Sequence, residues 1–418
     1  MISTTIVLSS YYVYTANNVA NTVSVIDSVT NAVVATIPVG NQPYDVAVTP
    51  DGRFAYVTNL ADGTVSVIDT SSNQVVATVT VGSDPYGVAV TPDGQFVYVA
   101  NSGSGSVSVI ATGSNTVTAT LSLGSSTSPE GVCILPNGAY AYVTGSAGVY
   151  VIDVATVTLT TTITTGIGTP ADAVVAAPDS SHVFYVSHDW PSRTVKTITV
   201  SSNTVTASLT VASATELCVT PNGNFLYVAN GAAVGPGTVV AVSIASNAVV
   251  ASVAVGEFAA GCAVTPDGQF VYVALANPNT VSIIEVATNA LVQTVSLGSG
   301  SPGSIGPQGL AVTPVLLTPT TTFVENDPNQ VNSVAAQIAN ESGLNLLVMA
   351  NAVNYVVSPF SVSTVPTGWG NPVVVSTSVT NVTQAGTVTI HWLTPYDTPP
   401  MVDGPLFAQG TAGALGKV

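Results

Sequence analysis

Only three histidines occur in the chain, and two of them, His182 and His188, fall within the segment SHVFYVSHDWPSRTVK at residues 181–196. The same segment carries Asp189, Trp190, Arg193 and Lys196, so it alone joins a base, cations and an indole in one loop. General acid–base or triad chemistry needs an imidazole oriented by a carboxylate. His188 beside Asp189 is the pair that suggests it. The same residues also suit a ligand or partner contact made by His188, Asp189, Trp190 and Arg193, or a decorated surface loop. A shared metal ion is a poor fit, because His182 and His188 are six residues apart, ~20 Å if extended. The third histidine, His391, stands far along the chain.

A second constellation is acidic. Asp45, Glu130, Asp172 and Glu216 each lie five or six residues before a proline that recurs along the chain, at Pro50, Pro136, Pro178 and Pro221. If the recurring segments surround a common axis, four carboxylates gather at one mouth of it. A hard cation such as Ca²⁺ seeks several such oxygens; the bland alternative is turn capping and solubility. Tyr44, Tyr86, Trp190 and Phe258 sit in loops that would share this face, as a carbohydrate- or peptide-binding surface requires. Cys133, Cys218 and Cys262 occupy repeat positions held elsewhere by small apolar residues, and their spacing fits neither a disulfide framework nor zinc. The sequence has no GxxxxGK[ST], CxxC or HExxH pattern. No organic cofactor is expected. Asn340 and Asn381 begin N-glycosylation sequons, which matter only for an exported chain.

The elements that must position these residues announce themselves as repeats. PYDVAVTPDGRFAYVTN at residues 43–59 returns as PYGVAVTPDGQFVYVAN at 85–101, with weaker copies from Pro129, Ala214 and Ala259. The marker prolines at 50, 92, 136, 178, 221, 266 and 314 are separated by 42, 44, 42, 43, 45 and 48 residues. That is the period of one four-stranded propeller blade. Each period holds four alternating apolar runs, such as TVSVID at 64–69, which read as strands. Pro-Asp-Gly supplies the tight turn between the first two. Seven markers and seven strand sets predict seven blades. The first strand set precedes the first marker, so residues 310–313 are expected to complete the first blade, with residues 5–8 as the alternative inner strand.

The recurring YVTN core, framed by VAVTPDG before it and TVSVID…VVATVTVG after it, resembles the YVTN-type β-propeller repeat family over residues 12–314. That family is found in secreted and surface proteins of bacteria and archaea, including surface-layer-associated ones. The resemblance implies a seven-bladed all-β propeller at an extracellular or cell-surface location. Gly145, in place of the final Asn, and FYVSH ending at His188 depart from the motif.

Beyond Pro314 the period stops. The expected organisation is a propeller over residues 1–316, a linker at 317–322, a small α+β or β-rich domain at 323–400 and a Gly/Ala-rich tail at 401–418. The apolar spacing of Val331, Val334, Ala335 and Ile338 predicts a helix over residues 328–339.

Composition narrows the functions. Four Lys and Arg against 21 Asp and Glu give a net charge of -17, which argues against nucleic acid and anionic membrane surfaces as partners. Charged residues make up only 6%. No apolar stretch is long enough to span a membrane, and residues 1–10 carry no recognisable signal peptide. A surface poor in lysine and charge suits self-association. The expected function is a non-catalytic extracellular scaffold or binding propeller, self-assembling into an array or filament through its C-terminal domain or N-terminal strand. A funnel lyase or hydrolase and a soluble carbohydrate- or peptide-binding module are the alternatives.

Overall fold

The computed structural model describes residues 11–164, 171–189, 192–231, 237–298 and 306–313 in full, and the backbone of 336–340, 345–349, 373–374, 390–393 and 402–404. Residues Tyr11–Thr313 form one unit of seven four-stranded antiparallel sheets, the blades of a propeller. No helix among the described residues is long and apolar enough to cross a membrane.

Blade 1 draws its inner strand, Pro307–Val312, from the far end of the unit and its other three strands from Tyr12–Asn17, Thr22–Asp27 and Ala32–Pro38. Val13 faces Val312 and Tyr14 faces Ala311 across this seam. Blades 2 to 7 then follow in chain order, inner strand first, beginning at Pro43–Val48. Residues 5–8, the other candidate for the seam, lie outside the described residues.

Each repeated residue has a task. In the turn after the inner strand, Thr49 Oγ1 donates to Asp51 Oδ1 at 2.6 Å and Gly52 takes φ of 70°, the left-handed conformation a glycine adopts freely. Thr91–Asp93, Thr220–Asn222 and Thr265–Asp267 repeat the bond. The tyrosine of each YVTN core is fully buried: Tyr14, Tyr56, Tyr98, Tyr142, Tyr185, Tyr227 and Tyr272. Its hydroxyl crosses to the next blade. Tyr14 donates to Asn73, Tyr56 to Asn115, Tyr142 to Asn203, Tyr227 to Asn289, and Tyr272 returns to Asn31 of blade 1, at 2.7–3.1 Å. Each acceptor closes the turn into an outer strand with φ near +50°, which Asn tolerates better than most side chains. Two links depart. Val157 holds the turn position in blade 4 at φ 52°, and Tyr98 bonds the carbonyl of Val154 instead. The Tyr185 hydroxyl is buried without a partner among the described residues.

The second unit, Met1–Ser10 with Pro314–Val418, is described only as short paired backbone strands. Ala336–Asn340 pairs antiparallel with Asn345–Met349. This corrects the helix expected over residues 328–339 where it overlaps the strand. A short apolar run satisfies either period, and cross-strand pairing decides it. Residues 328–335, the linker and residues 405–418 of the tail lie outside the described residues, as does Asn381, while Asn340 ends its strand.

Candidate functional site: the funnel of the propeller

The inner strands stand around the axis, and the residues that open them form its wall. At one position the seven blades place Gln308, Tyr44, Tyr86, Glu130, Asp172, Thr215 and Ala260; at the next, Gly309, Asp45, Gly87, Gly131, Ala173, Glu216 and Gly261. The glycines are a packing requirement. A Cβ on Gly87 would lie 2.5 Å from the Glu130 carbonyl, and one on Gly131 would lie 2.6 Å from that of Asp172. Neighbouring blades are stitched here by Thr58 Oγ1 donating to Tyr86 O at 2.7 Å and Gly87 N–H donating to Glu130 O at 2.9 Å.

This wall encloses a cavity of about 550 Å³. Asp45, Glu130, Asp172 and Glu216 all line it, together with Tyr44, Tyr86, Phe258 and Arg193. Counting back from the marker prolines therefore finds residues that share one space. Tyr44 and Tyr86 form a tilted pair with ring centroids 4.5 Å apart.

The four acids do not behave alike. Asp45 accepts N–H bonds from Val46 and, across the blade boundary, from Val88, at 2.8 and 3.0 Å. Desolvation nevertheless raises it to about 6, against those two bonds. Glu216 is raised to about 8 by desolvation first and then by the Asp45 carboxylate; the Leu217 N–H opposes this, and Asp172 adds a smaller push upward. Glu130 also rises to about 8, from burial, the Asp172 charge and a hydrogen bond to Asp172, with Arg193 pulling the other way. Burial also pushes the Tyr44 and Tyr86 phenols up.

Asp172 is the most engaged of the four. His188 Nε2 bonds its Oδ2, and Arg193 Nη1 lies 3.2 Å from the same oxygen while also donating to Ala214 O at 2.5 Å. The partner of His188 is thus Asp172, from the preceding strand, rather than its sequence neighbour Asp189. Asp189 instead binds Lys196 at 2.9 Å, together with Ser187 and Thr194. Those bonds hold its carboxyl low against the desolvation of its position. The His188–Asp189 reading of a base and its orienter is corrected accordingly: both side chains leave one short loop for different neighbours. Trp190 lies outside the described residues. Among the described residues no three His, Cys, Asp or Glu side chains converge as a ligand set for a metal ion. The acidic ring is therefore spread around the cavity wall.

A second surface was not foreseen. The outer strands, Ala32–Pro38, Gln74–Thr80, Thr116–Ser122, Thr158–Ile163, Thr204–Thr210, Ala248–Gly256 and Ala290–Ser296, contain no charged residue. In every blade the pairing of the third and outer strands slips by one residue at the same place. The residue left over is Val34, Val76, Val250 or Val292 in blades 1, 2, 6 and 7, and Thr118, Thr160 or Thr206 in blades 3 to 5. Those four valines are 51–53% exposed. Blades 6, 7, 1 and 2 are consecutive around the ring, so the bulge position is apolar along one arc of the rim and hydroxyl-bearing along the other.

Comparison with known proteins agrees with this architecture. The YNCE-like beta-propeller family matches residues 3–304. Comparison with curated proteins finds no match. Among solved structures the chain is similar to the Kuenenia stuttgartiensis hydrazine synthase, at 22% identity and a TM-score of 0.56, covering 75% of this chain and 96% of that one. A functionally unknown protein from Desulfotomaculum acetoxidans has 17% identity and a TM-score of 0.60, covering 73% and 99%. The beta-propeller domain of Myceliophteria thermophila Cps50 (Swd1) has 14% identity and a TM-score of 0.52, covering 62% and 87%. At these identities the likeness is one of fold.

Proposed function

The chain belongs to the YNCE-like β-propeller family, and from that premise we propose that it is a non-catalytic scaffold of the cell exterior whose copies associate through the propeller rim. The observation that carries this reading is the set of seven uncharged outer strands with its apolar arc at Val250, Val292, Val34 and Val76. Sheet edges are ordinarily guarded by charges, above all lysine, because their open N–H and C=O groups template pairing with another chain. This rim relies on a bulge alone. On a protein of net charge -17 it is also the surface where two copies meet with least repulsion. The engagement of Asp172 by His188 and Arg193, and of Asp45 by two backbone N–H groups, supports a holding rather than a reacting role for the funnel.

Size-exclusion chromatography with light scattering, paired with electron microscopy, tests the reading. The wild type is expected to assemble. A variant carrying Val34→Lys, Val76→Lys, Val250→Lys and Val292→Lys is expected to be monomeric, whereas Thr118→Lys, Thr160→Lys and Thr206→Lys together leave assembly intact. A clean wild-type monomer near 41.8 kDa overturns it.

A further inference from the structure

The funnel wall is chemically lopsided. Blades 2 and 3 contribute the Tyr44–Tyr86 pair, blades 4, 5 and 6 contribute Glu130, Asp172 and Glu216, and the two groups face one cavity. Arg193, the cation on the wall, is already committed to Asp172 and the Ala214 carbonyl. Glu216 is enclosed by the atoms of the wall and keeps only the surface it turns to the cavity. One of its oxygens accepts the Leu217 N–H at 2.9 Å; the other has no hydrogen-bond partner among the described residues. The hydroxyls of Tyr44 and Tyr86 likewise bond to no described residue. These oxygens turn to the cavity and stand open to a ligand that brings donors.

We propose that the funnel binds a primary ammonium group, presented by an alkylamine or by a lysine side chain, between the Tyr44–Tyr86 pair and the carboxylates of Glu130 and Glu216. An ammonium offers three donors to acceptors that lack them and a positive charge to ring faces and carboxylates. A bare metal ion is the poorer fit, because no three ligands converge among the described residues and about 550 Å³ exceeds what an ion fills. The site lies on the axis, so it stands or falls separately from association through the rim.

Binding displaces protons. Glu130 faces Asp172 and Arg193, with His188 behind Asp172. Glu216 faces Asp45, Asp172 and Cys262, and the two phenols lie within reach of these charges. In that setting both glutamates are largely protonated at pH 7, and a cation binds their ionised forms. Affinity is therefore expected to rise with pH, by about tenfold for each glutamate between pH 7 and 9, while the amine itself stays charged.

The test is calorimetry on the full chain with putrescine and with Nα-acetyl-lysine methylamide, in two buffers of different ionisation enthalpy, at pH 7 and 9. Expected are saturable binding, proton release, tightening at pH 9, and at least tenfold weakening in Glu216→Gln and Glu130→Gln. Preference for putrescine or for the lysine derivative tells a free amine from a peptide ligand, and either supports the proposal. N,N′-diacetylputrescine, which lacks the charge, is expected not to bind. The proton-release measurement uses wild-type protein alone and so decides the matter even if a variant fails to fold. The proposal is overturned by no saturable binding of either amine, by binding without proton release, or by saturation with glucose in place of the amines.

Discussion

Val157 is the one β-branched residue among the turn positions that elsewhere hold asparagine at φ near +50°. The left-handed conformation costs an L-residue about 1–2 kcal/mol, and asparagine suffers least from it. Val157→Asn should recover about 1 kcal/mol of that strain. It forfeits about 0.5–1 kcal/mol of the half-buried valine's contacts with the core between blades 3 and 4. It also gives the Tyr98 hydroxyl an amide acceptor in place of the Val154 carbonyl at 3.1 Å, worth about 0.5–1 kcal/mol. The net expectation is a gain of about 1 kcal/mol, or a melting temperature higher by roughly 2 °C. Asn115→Val in the preceding blade is the reciprocal change. It adds the strain and leaves the fully buried Tyr56 hydroxyl without its acceptor, for a loss of about 2–4 kcal/mol. Differential scanning calorimetry of the two variants beside the wild type reads both signs. If Val157→Asn melts no higher than the wild type while Asn115→Val is tolerated, the inter-blade tyrosine–asparagine link is decoration and the reasoning fails.

Two further expectations concern the same interior. Tyr185→Phe, which deletes a buried hydroxyl with no partner among the described residues, should be neutral or stabilising, whereas Tyr227→Phe should cost about 1 kcal/mol by breaking its 2.8 Å bond to Asn289; chemical denaturation of the pair ranks them. Glu130 and Glu216 sit near 8 in the folded chain against 4.5 as free side chains, so the native state holds more protons than the unfolded one between those values. Stability contributed by their protonated forms is complete below about pH 4.5 and is lost as pH rises toward 8, with Asp45 adding to the fall between 3.8 and about 6. Melting temperature should decline from pH 5 to pH 8.5, and Glu216→Gln should flatten that decline; an unchanged slope in the variant refutes the assignment.

How much of this was readable beforehand divides along the repeat. Whatever obeys the period was legible: the blades, the Pro-Asp-Gly turn with its threonine, and the positions five and six before the marker proline that bring Tyr44, Asp45, Tyr86, Glu130, Asp172 and Glu216 to one cavity. The YVTN resemblance reflects the same period, since the motif's residues build blades. What was not legible is what passes between blades. The period repeats each blade against itself, and says nothing of which residue of the next blade a side chain meets. Within blade 5, too, the period is silent: His188 was paired with Asp189, adjacent in sequence, although Asp172, sixteen residues earlier on the neighbouring strand, holds it. The tyrosine–asparagine links span 59 to 62 residues around the ring and 241 at its closure. The apolar arc escaped for another reason. Val34, Val76, Val250 and Val292 sit in runs of consecutive apolar residues that read as core, yet they fall on the exposed face of their strands beside Thr36, Thr78, Ser252 and Thr294.

The seam in blade 1 sets a schedule for the chain's birth. Tyr12 and Thr313 bond each other twice, at 2.8 and 2.7 Å, across 301 positions. At roughly 5–20 residues per second, a ribosome takes on the order of 15–60 s to deliver the second strand of that pair after the first. Blades 2 to 7 are complete by then, each from contiguous sequence, whereas the strand at Tyr12–Asn17 waits with one edge bare. Closing the circle also carries an entropic cost of about 5 kcal/mol for a loop of this length. The nascent protein is thus an open arc until its last propeller strand emerges, and any chaperone or neighbouring chain that meets it during that interval meets an unpaired strand of blade 1.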